Sequence, residues 1–96
     1  MVFFDELWHG LSGWVLRELK PALSPKGVPD PRESLAVQKR RAETNCGSII
    51  VVPLRYREQT FATMTAINRP DECDFTERDV ELMMAIVNQA VVAIIN

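Results

Sequence analysis

The side chains that could carry out chemistry in this sequence are few and lie far apart. The candidates are two cysteines, Cys46 and Cys73, and one histidine, His9. Their spacing fits neither a metal site nor a disulfide framework, because structural metal sites combine closely spaced pairs of cysteine and histidine ligands. The sequence also shows no recognisable pairing of a nucleophile with a base, or of two acids for a cleft. We therefore predict that the protein is not an enzyme and has no catalytic residue, no metal site and no cofactor.

Composition and charge restrict the class of protein further. Hydrophobic residues make up 47% of the chain, charged residues make up 25%, and the formal net charge is −2. This ordinary globular balance gives no general attraction to nucleic acids or membrane surfaces. The N-terminus also lacks the basic stretch and apolar run that are typical of a signal peptide. We expect a single cytoplasmic domain over residues 1–96, with neither a nucleic-acid nor a membrane partner.

The last third of the chain predicts one long helix that follows a polar loop. Thr76 is a suitable N-cap, and Asp79 three residues later completes a capping box. Phe75 and Val80 are spaced for a hydrophobic staple across the helix start. The apolar side chains that follow cover an arc about twice as wide as packing on one sheet requires. This arc comprises Val80, Met83, Met84, Val87, Ala90, Val91, Ile94 and Ile95, and Leu82, Ile86 and Ala93 widen it on one side. The surplus surface is expected to contact either another helix of the same domain or a second copy of the chain.

Two runs of strand-forming residues before this helix predict a β-hairpin. The first run is Ser48 to Leu54, and the second begins at residue 59 or 60 and ends at Ile67. The polar residues between them have the length of a hairpin connection. This pairing brings Cys46 and Cys73 to the same end of the sheet. Two reduced thiols are the expectation there, and a redox switch between them is the alternative.

The register of the hairpin decides which side chains face a pocket. A turn centred on Arg57-Glu58 pairs Ser48 with Ile67 and Ile50 with Thr65. One face of the hairpin then carries Ile49, Val51, Pro53, Ala62, Met64 and Ala66. Because its alanines would let a helix approach closely, we assign this face to the terminal helix. The other face, which carries Thr63 and Thr65, is then expected to look into a pocket or toward the surface helices. The side chains that are candidates for contact with a small molecule, on this face and on the first helix, are Trp14, Ser48, Ile50, Val52, Thr63 and Thr65.

Shorter elements are predicted in the first half of the chain. Ser12 is expected to cap a helix that runs from Gly13 to about Lys20, and Ala22 to Ser24 is long enough for a short strand. Asp30, followed by a proline, predicts the start of a second helix on the surface. Its basic run, Lys39–Arg41, is expected to be a solvated helix face rather than a site that grips an anion.

Five segments in this order resemble a GAF domain. They are GLSGWVLRELKP (Gly10 to Pro21), VPDPR (Val28 to Arg32), GSIIVVPL (Gly47 to Leu54), TMTAINR (Thr63 to Arg69) and the run from Phe75 to Asn96. The resemblance implies an α+β fold in which a long C-terminal helix packs on one face of an antiparallel sheet. Short helices and loops then lie over the other face, around a small-molecule pocket. It also implies a sensory or regulatory role in a bacterial signalling protein, with the C-terminal helix as the relay.

The GAF domains that bind cyclic nucleotides carry a signature of the form NK…FxxxDE. The matching positions here are Asn68, Arg69, Phe75, Asp79 and Val80. Val80 departs from the acidic position, so the resemblance argues against cyclic-nucleotide binding. An ion pair between Arg69 and Asp79 is expected to tie the strand end to the helix start. The residues given a structural role in this motif are Asn68, Arg69, Phe75, Thr76 and Asp79.

The resemblance also implies that residues 1–96 form a single, N-terminally truncated GAF-like domain. A full member begins with a helix and a strand before the segment Met1–Leu7, which we interpret as a strand or an incomplete lead-in. The absent helix would expose part of the terminal helix, so we expect a homodimer through that helix. The expected function is the sensing of an unidentified small molecule. The alternatives are a degenerate module that acts mainly in dimerisation and, more remotely, a thiol-based redox enzyme.

Overall fold

The computed structural model describes residues 10–45 and 47–95, apart from the side chains of Phe61 and residues 93–95. The segment Met1–Leu7 and the candidates His9 and Cys46 lie outside the described residues. The elements in chain order are α1 (Leu11–Glu18), β1 (Ala22–Ser24), α2 (Leu35–Thr44), β2 (Ile49–Tyr56), β3 (Gln59–Ile67) and α3 (Glu77–Ile95). The strands form an antiparallel sheet in the order β1-β2-β3. Helix α3 packs on one face and α1 on the other, which confirms the predicted α+β architecture.

The hairpin turn is centred where the sequence predicts, but the strand register differs by one residue. Arg57 and Glu58 have φ angles of 50° and 68°, the left-handed conformation of a two-residue hairpin turn. Next to the turn, Arg55 pairs with Thr60, whereas Leu54 pairs with residue 62. Phe61 is therefore the extra residue of a β-bulge, and every later pair is shifted by one position.

This bulge makes the predicted face assignment wrong for β2. Ile50 and Val52 lie in the core beneath α3 instead of facing a pocket. Ile49 and Val51, which we assigned to the terminal helix, pack with α1. The β3 half of the assignment holds, since Ala62 packs against the α3 cluster. Because the bulge lies between the turn and Ala62, residues 62–67 are shifted by one position along β2 and share a face with residues other than those of a regular hairpin.

Pro53 occupies the central strand without removing a hydrogen bond from the ladder. The backbone N–H of Asn68 donates to the carbonyl oxygen of Ser48 at 3.2 Å. By the alternation of an antiparallel pair, the backbone groups of residues 48, 50 and 52 face β3, and those of residues 49, 51 and 53 face β1. Strand β1 pairs no further along β2 than Val51. The missing N–H of Pro53 therefore points to a place without a strand partner in the described sheet, as expected of a proline.

Helix α3 begins with the predicted capping box. The N–H of Thr76 donates to Asp79 Oδ2 at 2.8 Å, and the N–H of Asp79 donates to Thr76 Oγ1 at 3.4 Å. Phe75 and Val80 belong to the same apolar cluster, as a hydrophobic staple requires. The buried side of the helix carries Val80, Val87 and Val91, while Leu82, Ile86 and Val92 on its other sides are 61%, 58% and 48% exposed. The apolar arc is therefore wider than the sheet can cover. Among the described helices, none combines the length and apolar character needed to cross a membrane.

The two short helices begin at different residues from those predicted. Helix α1 starts at Leu11 with Gly10 at its N-cap and no side-chain cap bond, so the assignment of Ser12 as the cap was wrong. Helix α2 starts at Leu35, and its N-cap is Ser34, whose hydroxyl accepts from the N–H of residue 37 at 3.3 Å. Asp30 does not cap this helix, because its carboxylate accepts hydrogen bonds from the Arg32 side chain instead.

Candidate functional site

A buried carboxylate organises the loop between β1 and α2. Asp30 Oδ1 accepts from Arg32 Nε at 2.9 Å, and Asp30 Oδ2 accepts from Arg32 Nη2 at 2.6 Å. Chiefly because of these side-chain bonds from Arg32, and against the opposing effect of burial, the pKa of Asp30 falls from 3.8 to about 2. Arg32 Nη2 also donates to the carbonyl oxygen of Leu23 at 2.9 Å, and its guanidinium lies 5.0 Å from the ring centre of Trp14. The pair therefore holds this loop against β1 and α1.

A second arginine fastens α2 to β1. Arg41 Nη1 donates to Ser24 Oγ and to Glu33 Oε1, the latter at 3.1 Å. Arg41 Nη2 donates to the carbonyl oxygens of Ser24 and Pro25 at 3.3 and 3.2 Å. Both terminal nitrogens are thus occupied, and the side chains of Arg41 and Glu33 are 13% and 5% exposed. The expectation of a solvated helix face was wrong for Arg41, because packing of α2 against β1 buries it.

A pocket of about 210 Å³ lies between this loop and α2. Its lining residues are Gly27, Val28, Pro29, Glu33, Gln38, Arg41, Ala42 and Asn45. The amide of Gln38 closes one side, because its Nε2 donates to the carbonyl oxygens of Asp30 and Glu33 at 2.8 and 2.9 Å. The charged side chains that line the pocket, Glu33 and Arg41, form an ion pair with each other. The rest of the lining combines polar amide groups with apolar side chains. This wall suits a small polar molecule better than a strongly charged one.

The loop that leads into α3 is tied to the start of β2. Asn68 Oδ1 accepts from the N–H of Ser48 at 2.7 Å, and Asn68 Nδ2 donates to the carbonyl oxygen of Cys73 at 2.7 Å. The buried hydroxyl of Ser48 accepts from the N–H of Phe75 at 2.9 Å. Gly47 is required beside this crossing, because a Cβ there would lie 2.3 Å from the carbonyl oxygen of Asn68. The asparagine and serine thus fix where α3 begins.

The same loop is tied to the pocket by one lysine. Lys26 Nζ donates to the carbonyl oxygens of Pro70 and Glu72 at 2.8 and 2.5 Å, and its backbone N–H donates to Asp74 Oδ1 at 3.2 Å. Arg69 Nε lies 3.4 Å from Glu72 Oε1. The predicted ion pair between Arg69 and Asp79 is therefore wrong: among the described residues, Arg69 pairs with Asp71 and Glu72. The Asp79 carboxylate serves the helix cap instead, while Arg69 lies beside the nearer carboxylates of these two residues.

Comparison with protein families matches residues 3–95 to the GAF domain. The chain belongs to the GAF domain family. Membership indicates a sensory or regulatory domain of the kind that binds small molecules. A search of curated protein sequences found no match. Over the residues that the structure describes, no group of three or more histidine, cysteine, aspartate or glutamate side chains is placed to hold a metal ion.

Solved structures that resemble this fold include a reductase and a domain of a sensor histidine kinase. A type II free methionine-R-sulfoxide reductase from Thermoplasma acidophilum is 18% identical with a TM-score of 0.65, and the match covers 88% of this chain and 55% of that one. A GAF domain/HD domain protein from Geobacter sulfurreducens is 16% identical with a TM-score of 0.66, covering 86% and 53%. The GAF domain of a two-component sensor histidine kinase from Bacillus halodurans is 15% identical with a TM-score of 0.59, covering 88% and 55%. At these identities the likeness shows the fold, and this GAF domain spans about half the length of each structure.

The GAF fold divides the predicted ligand-contact residues among three environments. Trp14, Thr63 and Thr65 lie on the α1 side of the sheet or pack toward it, with Thr65 exposed. Ile50 and Val52 belong to the core beneath α3, and Ser48 binds the loop before that helix. The pocket beside α2 is lined by none of these six side chains. The lining of this pocket could not be predicted from the sequence, because the contact between Ser24 and Arg41 joins residues 17 positions apart. The Asp30–Arg32 pair, in contrast, lies within the short DPR segment, where an ion pair could be suspected.

Proposed function

We propose that this GAF domain is a non-catalytic, cytoplasmic sensory module of a bacterial signalling protein. It binds a small molecule in the pocket beside α2 and relays the binding to an output domain through α3. The observation that carries this proposal is the pocket itself, built between a loop and a helix that are each anchored to β1. Arg32 anchors the loop to the carbonyl oxygen of Leu23, and Arg41 anchors the helix to that of Ser24. Pre-ordered walls reduce the entropy that a ligand must overcome on binding.

The size and charge of the pocket favour a small, polar and uncharged or zwitterionic ligand. Its volume of about 210 Å³ is below the range of roughly 300–1,000 Å³ that is usual for drug-sized ligands. Both terminal nitrogens of Arg41 are occupied by protein oxygens, so this cation is not available to a phosphate. These two features argue against a cyclic nucleotide, in agreement with the valine at position 80 of the nucleotide-binding signature.

The relay follows from the anchorage of α3. Its first turn is fixed by the capping box, and the residue before it is held by Ser48 at the start of β2. Its buried side packs on β2 through Val80, Val87 and Val91. A ligand that favours one arrangement of this loop and sheet end would shift the population of helix positions, provided that it binds the two arrangements with different affinity.

Ligand-induced stabilisation tests the sensory proposal. A panel of amino acids, other small metabolites and cyclic nucleotides is added to the protein while the melting temperature is measured. A true ligand at a hundred times its Kd stabilises the fold by about 2.7 kcal/mol. The substitution Ala42→Leu fills the pocket and should abolish the response, whereas Ala36→Leu, on an exposed part of the same helix, should retain it. A response that survives in Ala42→Leu, or no response to any compound, contradicts ligand sensing at this pocket.

A second candidate function is dimerisation through α3. The side of this helix that faces away from the sheet exposes Leu82 and Ile86, and exposed apolar surface of this kind is typical of association sites. A homodimer would show a sedimentation coefficient and melting temperature that rise with protein concentration. The substitution Leu82→Lys should remove that dependence without lowering the stability of the monomer, while Glu81→Lys on the same helix serves as a charge control.

A further inference from the structure

We infer that Lys26 is the residue that couples the pocket to the start of α3, an inference that rests on the proposed sensory function. Lys26 directly precedes the segment Gly27–Pro29, which forms one wall of the pocket. Its ammonium group reaches across to the loop before α3 and donates to the carbonyl oxygens of Pro70 and Glu72. Lys26 therefore contacts the loop before α3, while the residues that follow it, Gly27–Pro29, line the pocket.

The position of the contacted loop depends on hydrogen bonds more than on burial. Every side chain from residue 69 to residue 74 is exposed, so no apolar packing holds this segment in place. Its described anchors are Asn68 and Ser48 on the sheet side and Lys26 on the pocket side. Segments with few buried contacts open at low free-energy cost. The loop is thus suited to occupy two arrangements, with the lysine engaged or released.

The chemistry of the lysine contact suits a reversible link. An ammonium group carries three donors, and two of them meet carbonyl oxygens at fixed positions in the loop. The backbone N–H of Lys26 adds a third bond, to Asp74. A ligand that displaces the wall Gly27–Pro29 moves the lysine backbone and strains all three contacts together. The expected result is a change in the order of the loop and of the first turn of α3, which begins directly after it.

Amide hydrogen exchange of the intact chain tests this inference without a ligand. The pocket-filling substitution Ala42→Leu serves as the perturbation, and exchange is followed for residues 70–80. In the otherwise unaltered chain, Ala42→Leu should change the exchange rates of residues 70–80 by about five- to tenfold, which is the effect of losing one or two weak hydrogen bonds. In a Lys26→Met background, which removes the two side-chain bonds and leaves only the backbone bond to Asp74, the same substitution should change these rates much less. A Lys39→Met background, with an exposed lysine of α2 replaced, should retain the full response.

Each outcome decides the inference separately from the sensory proposal. A response of undiminished size in Lys26→Met shows that the link runs elsewhere, and no response in the otherwise unaltered chain shows that the pocket and the helix are not coupled. Either result overturns the inference, even if a ligand is found by thermal stabilisation. If Ala42→Leu unfolds the protein, Val28→Ala replaces it as a milder change in the wall Gly27–Pro29, on the loop side of the same pocket. If amide exchange shows the coupling through Lys26 but no compound stabilises the protein, the link is established and the sensory proposal is refuted.

Discussion

The ion pair between Asp30 and Arg32 makes a quantitative prediction about acid stability. The pKa of Asp30 is lowered from 3.8 to about 2 by the two side-chain hydrogen bonds from Arg32. Since each pKa unit is worth about 1.4 kcal/mol, this difference corresponds to about 2.5 kcal/mol of folding free energy. The Asp30 carboxyl is only 5% exposed, so solvent screening reduces this value little. We expect Asp30→Asn to lower the free energy of unfolding at pH 7 by about 2 kcal/mol.

The pH dependence of this effect has a definite sign. Because the pKa of Asp30 is lower in the folded state, its stabilisation is present above pH 3.8 and is lost as the pH falls toward 2. Urea denaturation followed by circular dichroism at a series of pH values between 2 and 7 measures the effect. The curves of the unaltered protein and of Asp30→Asn should converge at the acidic end. Asp71→Asn, which replaces a carboxylate that is 77% exposed, is the control and should be nearly neutral. A constant gap between the Asp30→Asn and unaltered curves down to pH 2 would refute the ion-pair reasoning.

Three further substitutions test packing and the second buried ion pair by thermal or urea denaturation. Gly47→Ala should destabilise the fold by about 2 kcal/mol or more, because its Cβ would collide with backbone oxygens that cannot yield easily. Val87→Ala should cost about 2 kcal/mol because Val87 is fully buried, whereas Val92→Ala on an exposed side of the same helix should cost far less. Arg41→Met should cost about 3 kcal/mol because it leaves a buried carboxylate without its partner, and Lys39→Met should be almost neutral. An equal loss of stability for Val87→Ala and Val92→Ala, or for Arg41→Met and Lys39→Met, would show that burial does not control these effects.

The elements that local chemistry specifies could be predicted from the sequence. The start of α3 was predicted correctly because the cap, the acidic residue and the staple all lie within six positions, from Phe75 to Val80. The hairpin turn at Arg57 and Glu58 was also placed correctly, since the lengths of the flanking strands constrain it. Asp30 misled the prediction of α2, because a carboxylate before a proline is equally suited to a helix cap and to an arginine pair.

The parts that depend on distant contacts could not be predicted in the same way. The bulge at Phe61 leaves no signature such as a glycine, and a one-residue error in register exchanged the two faces of β2. The pocket was missed because Arg41 looks like one cation in an exposed basic run until α2 is packed against Ser24. Residues that tie elements together across the fold are thus the ones that a single sequence conceals.

The bulge also determines which change of length this hairpin can accept. Deletion of Phe61 would keep the turn and join Thr60 to Ala62 in a regular ladder, so that every pair from Leu54–Ala62 onward is retained. Met64 would then stay on the side that faces α3, and Thr63 and Thr65 would stay on the opposite side. We therefore expect natural relatives without the bulge to lack the residue at position 61, and to keep the same alternation of side chains along the rest of β3.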